Sequence, residues 1–334
     1  MAIGKRKSSG IVAAILACAG CNEPMTDSVG NKIEEPCEPS EGNDCATEGG
    51  PKTETVKPYY VDIGERNAEA AKKPWSSWWY PHWQDTLFQG KNGESSTLEK
   101  YDAFALRQNK RTRAAEYERA NLYDPRAVSW SGLCDAWAIA SILEPEPTIG
   151  VRHNELVFRI GDLKALLLKP YEKVPPLTSV GHRFNGEWND VYADVSPDQL
   201  HRIIETELIG KRRAFIIDED AGPEVWNEPV WKVITRVSRV DDHANLARVQ
   251  TWLFLASPHV DDRDYVGTLE DSREYTYDLE GSWEGSKFKV HSGKWTERSQ
   301  WDHPDYAIIL PERMQRGSFN KEVDPLLVDK ILKR

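Results

Sequence analysis

Apolar side chains recur at helical spacing in the first half of the chain and at alternating spacing in the second, and the change falls at Gly210. A charged stretch over 97–121 reads as helical, with Leu98, Tyr101, Leu106 and Tyr117 as candidate inward positions. A second helix is predicted from Cys134 to Leu143, stopped by Pro145 and Pro147, and 163–168 continues the helical pattern after Asp162. Ser196-Pro197-Asp198 reads as a capped helix start, with the helix running to about Ile209. Beyond Gly210, residues 214–218, 232–240, 246–256, 274–279, 288–291 and 307–310 are rich in β-branched and aromatic residues and read as strands. Residues 322–333 have the apolar spacing of a short docking helix, or of an exposed tail. Helices first and strands afterwards predict an α+β fold, with helices packed against an antiparallel sheet.

Composition divides the chain. Lys5, Arg6 and Lys7 precede an apolar run from Ile11 to Ala19, the layout of an export signal over 1–21, and the run is too short to remain as a membrane span. Small residues before Cys18 and Cys21 suggest lipoprotein processing, with Cys21 the expected lipid-modified residue and Cys18 the alternative. Residues 22–73 carry few apolar side chains among Glu, Pro, Gly, Thr, Asn and Asp, which predicts a disordered acidic tether. At Pro74 the composition shifts abruptly to tryptophan-rich sequence, and 74–312 reads as one domain followed by a tail or helix over 313–334.

Net charge is −11, and loss of residues 1–21 with their three cations would make it −14. Such a surface repels nucleic acid and anionic headgroups, so the expected membrane link is an N-terminal lipid alone. Neither a phosphate-binding glycine loop nor a closely spaced Cys/His ligand set appears. The acids Asp241/Asp242 and Asp261/Asp262/Asp264 could bind calcium, but their spacing fits solvated loops better, and no metal or other cofactor is expected to be required.

Export places the chain in an oxidising compartment, where Cys37 and Cys45 could form a local disulfide and leave Cys134 unpaired. Cys134 sits in Ser131-Gly132-Leu133-Cys134-Asp135-Ala136-Trp137, where a helix is expected to begin. A thiol at a helix N-terminus is favoured as thiolate, although a small hydrophobe filling a core would look the same in sequence. His201 followed by Asp218 or Asn227 supplies the Cys, His, Asp/Asn order of thiol acyl-transfer enzymes, with Asp218 the preferred orienting partner. His303 is an alternative base or a brace for the sheet.

The residues from 74 to 311 resemble the transglutaminase elicitor family, known from oomycete cell-wall proteins that plants recognise and from bacterial relatives. The resemblance is carried by PWSSWWYPHWQD (74–85), EKYDAF (99–104), WSGLCDAWAIASILEPEP (130–147), GDLKALLLKPY (161–171), the Leu200-His201 region, FIIDEDAGPEVWNEPV (215–230) and GKWTERSQWDHPDY (293–306). It implies a fold distantly like papain and transglutaminases, and a protein-glutamine γ-glutamyltransferase that passes a protein glutamine's acyl group to a lysine or polyamine amine with release of ammonia. On that reading Cys134 is the nucleophile, His201 the acid and base, and Trp130, Trp137, Trp226, Pro229 and His303 contact substrate. The chain is expected to act as an exported monomer. Two departures stand out: Asp135 follows the cysteine where the family usually has His, and Lys294 replaces an acid in a glycine-rich block. They keep two alternatives open, a cysteine hydrolase (protease or glutamine deamidase) and a surface-binding protein with impaired catalysis.

Overall fold

The molecule is built on a nine-stranded sheet, all of whose pairings are antiparallel. The computed structural model describes residues 59–175, 177–183, 194–219, 222–241 and 243–333. In chain order the elements are β1 (Tyr59–Asp62), β2 (Gly64–Glu69), α1 (Thr97–Arg107), α2 (Ala114–Asn121), α3 (Cys134–Leu143), β3 (Val151–His153), β4 (Leu156–Phe158) and α4 (Ile160–Leu168). There follow β5 (Thr178–Gly181), α5 (Pro197–Ile203), β6 (Phe215–Asp218), β7 (Asn227–Arg239), β8 (Leu246–Ala256), β9 (Glu270–Glu284), β10 (Lys287–Trp295), β11 (Tyr306–Ile309) and α6 (Pro325–Leu332). Strand order is β1-β10-β9-β8-β7-β6-β11-β5, with β2 also paired to β7, while β3 and β4 form a separate hairpin. The fold is therefore α+β, as the sequence pattern predicts.

Because successive strand residues point to opposite faces, the sheet has a core on each side. On one side α1, α3, α4 and α6 pack with Ile216, Ala256 and Leu310. On the other, α5 and the π-helical continuation Ile204–Gly210 pack against Phe215, Ile217, Val230, Val233 and Leu279. The alternation along β6 is what separates the two: Ile216 faces the first cluster, Phe215 and Ile217 the second.

Helix α3 is the centre of the first cluster. Seven of its ten residues, Cys134 and Ala136 to Ser141, are buried, so it is apolar nearly all round and packed on several sides. Glu144, already extended, precedes Pro145 and ends it. Trp137 is fully enclosed, its indole N–H donating to the Trp75 carbonyl at 2.8 Å.

Several expectations are corrected here. The stretch 97–121 is two helices: Asn109 takes a left-handed φ of 57°, and Asp102 caps the second helix through the Ala114 and Ala115 N–H groups at 2.8 and 3.1 Å. Leu106, expected inward, is 60% exposed, and Phe104 and Ala105 fill that role. The tether does not extend to Lys73, since Tyr59–Asp62 pairs with β10 and Gly64–Glu69 with β7. Backbone ladder bonds supply these strands' stability, which a composition count cannot register. The export signal, Cys18, Cys21, Cys37 and Cys45 lie outside the described residues. Among the described residues no helix is long and apolar enough to cross a membrane. Helix α6 docks through Leu327, Val328 and Ile331, capped by Asp324 on the Leu326 N–H at 2.9 Å.

Candidate active site

Cys134 is the first residue of α3 and is 3% exposed. Its position is fixed from both sides: the Leu133 N–H donates to the Trp79 carbonyl at 2.6 Å, and the Trp79 ring lies against Gly132. A Cβ at Gly132 would fall 2.7 Å from Trp79, so only glycine permits this approach. The bond to Trp79 also removes the Leu133 N–H from the amides free to receive an oxyanion.

The thiol donates to Asp135 Oδ1 at 3.0 Å and approaches the Val225 carbonyl at 3.9 Å. Burial pushes the thiol pKa well above its ordinary value, the Asp135 charge and hydrogen bond push the same way, and the Asn227 backbone N–H opposes them. The helix N-terminus that would favour thiolate is thus outweighed by the enclosure and the adjacent anion. Asp135 itself is exposed, so the sulfur lies one side chain below the surface with a carboxylate over it.

Strands β6 and β7 deliver the rest of the cluster. Asp218 and Asn227 are register partners on the side of α3, as the facing of Ile216 requires. Asp218 Oδ1 accepts the Trp226 N–H at 3.0 Å. Asn227 Nδ2 donates to Asp135 Oδ1 at 3.4 Å, and its Oδ1 accepts the Tyr306 hydroxyl at 3.0 Å. Cys134, Asp135, Asp218, Asn227 and Tyr306 therefore form one cluster. Tyr306 had no signal in the sequence beyond its place in a predicted strand's approach.

His201 does not join it. The imidazole is fully buried in the second core, with Nδ1 2.6 Å from the Tyr277 hydroxyl and Nε2 3.6 Å from Glu205. Helix α5 packs on the opposite face of the sheet from α3, which puts the strands themselves between His201 and the thiol. His303 is likewise placed elsewhere: it stacks on Trp295 with centroids 5.1 Å apart, and its Nε2 is 2.7 Å from Asp194 Oδ2. Trp295 in turn packs on Tyr275 and Tyr277 of the second core, so His303 is a brace on that side.

Two imidazoles that sequence order did not single out flank the thiol's loop. His82 Nδ1 is 3.0 Å from Ser131 Oγ, and His259 packs edge-on against Trp79 and Trp226, with centroids 5.5 and 4.5 Å away. Burial lowers the pKa of both. Among the described residues neither reaches hydrogen-bond distance of Sγ. The sequence signal for His82 was only its place in a tryptophan-rich segment, and His259 had none.

The expected substrate-contacting residues divide similarly. Trp226 is half-buried, its indole N–H held by Glu224 at 3.0 Å, and with Trp79 it walls the approach to the thiol's loop. Trp130 is half-buried under Arg183, whose guanidinium carbon is 5.3 Å from the ring centroid. Trp137 and Pro229 are core residues instead, Trp137 because α3 is enclosed and Pro229 because it sits within β7 opposite Ile216.

This architecture, a buried cysteine opening a central helix against an antiparallel sheet, is similar to that of a solved transglutaminase. The crystal structure of the GP42 transglutaminase from Phytophthora sojae superposes with a TM-score of 0.62 at 22% identity, covering 80% of this chain and 90% of that one. Residues 123–253 match the model of the transglutaminase elicitor family. The matched stretch contains Cys134, Asp135, Asp218 and Asn227. No curated protein matches the chain.

Proposed function

We propose that this chain is an exported protein-glutamine γ-glutamyltransferase whose nucleophile, Cys134, rests as a neutral thiol under Asp135. The observation that carries the reading is the convergence of Asp135, Asp218, Asn227 and Tyr306 on a single cysteine at the start of a central helix. A glutamine side chain entering between Trp79 and Trp226 would displace Asp135 from Sγ and bring its carboxamide to the sulfur. The thiol proton passes to an imidazole, for which His259 is our choice because burial keeps it neutral and it lies within the aromatic walls. Sulfur attack then forms a C–S bond, the returned proton leaves with ammonia, and the thioester transfers its acyl group to an amine that gives up a proton. The chemistry uses no metal at the thiol.

Asp135→Asn tests the proposed resting state. Removing the anion that holds the proton on Sγ lowers the thiol pKa, so the thiolate fraction at neutral pH rises. Capture of Cys134 by iodoacetamide should become severalfold faster, and incorporation of a fluorescent amine into a glutamine protein should rise with it. If Asp135→Asn changes neither rate, Asp135 is not what restrains the thiol and the proposal loses its centre.

The sealed sulfur also favours a second reading, a surface-recognition protein that keeps the fold without turnover. It predicts no amine incorporation by either the parent chain or Asp135→Asn, together with alkylation as slow as in a buried structural cysteine. A hydrolase would release ammonia at the same rate with and without added amine and form no crosslinks.

A further inference from the structure

At the end of the sheet away from the thiol, the loop leading into β6, the loop after β11 and the segment leading into β5 enclose a cleft of about 450 Å³. The placement follows from register: β11 is antiparallel to both β5 and β6, so its end lies beside their starts. Asp218 and Tyr306 stand at the other ends of β6 and β11, one four-residue strand away, which is about 13 Å. Three cations, Lys211, Arg213 and Arg313, line the cleft together with the half-buried side chains of Leu177, Ile309 and Met314, and no carboxylate is among its lining residues. We infer that this cleft docks an extended peptide segment of a partner protein, one in which acidic residues alternate with apolar ones.

The acidic half of that description comes from the cations. Glu207 is buried; its Oε1 lies 2.7 Å from Lys211 Nζ and its Oε2 3.7 Å from Arg213 Nε, while the Arg213 guanidinium also donates to the Leu310 carbonyl. One enclosed carboxylate thus orients two cations and neutralises one of them. Arg313 is exposed and has no ion-pair partner among the described residues. Glu312, on the same loop, is exposed and is not part of the lining. Three cations less Glu207 leave two positive charges in a concave site, on a chain whose net charge is −11, and such a site draws anions against the overall field. The apolar half comes from the floor. Leu177 and Met314 pack against the first core and Ile309 against the second, so an apolar side chain entering here rests on core-backed hydrocarbon that a simple polyanion would leave uncovered. The extended backbone comes from the sheet edge. Strand β5 ends the strand order, Thr178 and Ser179 are exposed, and among the described residues no strand pairs with its outer side. Thr178 belongs to the cleft wall, so a peptide strand added along β5 leads into the cleft. Successive side chains of such a strand point to opposite sides, and alternation lets one set meet the cations and the other the floor. This inference does not depend on the thiol chemistry.

The test is fluorescence anisotropy of a fluorescein-labelled peptide alternating glutamate with leucine, titrated with the full chain. Saturable binding is expected, and it should weaken severalfold from low to physiological salt, because the rim charges are open to screening. Arg313→Glu, which has no ion pair to lose, should weaken binding on the order of tenfold, and Lys211→Gln less. Arg126→Glu, the same charge change on a side chain 92% exposed in another loop, should leave it unaltered. Circular dichroism and melting temperature of Arg313→Glu should match the parent's, which separates lost docking from lost fold. A peptide alternating glutamate with serine should bind more weakly than the leucine peptide, since it leaves the floor uncovered. No saturable binding by the parent chain, equal losses in Arg313→Glu and Arg126→Glu, or equal affinity for the serine peptide overturns the proposal. So does a chain that ignores the leucine peptide yet binds polygalacturonate or phosphatidylglycerol vesicles in a manner sensitive to Arg313→Glu, because the cleft would then serve a polysaccharide or a lipid surface.

Discussion

Replacing Cys134 by Ala should reduce amine incorporation at least ~10³-fold while leaving the chain folded. The size follows from the proposed chemistry: without sulfur there is no thioester, and what remains is positioning alone, worth far less than nucleophilic catalysis. The fold should survive because the change removes one atom from a helix held by its whole length in the first core. Asp135, which loses the thiol donor, is exposed and still faces Asn227 Nδ2 at 3.4 Å. A stability cost of about 1 kcal/mol is expected from the small cavity. Incorporation of a labelled amine, measured beside far-UV circular dichroism, decides it: activity persisting in Cys134→Ala would remove the cysteine from the mechanism.

The largest loss of stability should come from Lys169→Met. Lys169 follows α4 with no exposed surface, and its ammonium binds both oxygens of Glu118, at 2.9 and 2.8 Å, as well as Glu172. The network is completed by the Asn320 amide on Glu118 and the Ser318 hydroxyl on Glu172, at 2.8 and 2.7 Å. Methionine fills the volume but strands two buried carboxylates without a cation, a loss of about 3–5 kcal/mol. In a domain of this size that corresponds to a fall in Tm on the order of 10 °C. Burial alone would lower the Lys169 pKa, but Glu172 and Glu118 outweigh it and hold it above its ordinary value. A raised lysine pKa stabilises the fold fully below the unfolded value of about 10.4 and ceases to do so as pH climbs through the folded value. The difference between the parent and Lys169→Met should therefore narrow in strong base as Lys169 loses its proton, and narrow also in acid as the stranded Glu118 and Glu172 take up protons. A melting curve for Lys169→Met that overlays the parent's would show the charges to be hydrated instead of enclosed.

The helix that opens at Cys134 and strands such as 246–256 were readable from sequence because their signals are local: a small-residue run closed by proline, and alternating β-branched residues. What sequence order could not convey is the face of the sheet. His201 follows Cys134 in the order a thiol enzyme would use, yet the parity of Phe215, Ile216 and Ile217 sends its helix to the other side. For the same reason Glu219, Glu228 and Asp271, far apart in the chain, become neighbours only once β6, β7 and β9 take their register. His259 reaches the thiol's surroundings through loop geometry that no periodicity announces, and Tyr306 through the pairing of β11 with β6. The break between α1 and α2 depended on one carboxylate, Asp102, turning back to cap a second helix.

The pairing of Gly64–Glu69 with β7 bears on how this protein should be handled. That strand occupies the hydrogen-bonding edge of β7 along 232–237, beyond the end of β6. A recombinant fragment begun at Pro74, where composition suggests the domain starts, would strip the cover and bare a row of unsatisfied amides and carbonyls, an invitation to self-association. Fragments begun before Tyr59 should elute as a single species on size exclusion, and those begun at Pro74 should spread into larger assemblies.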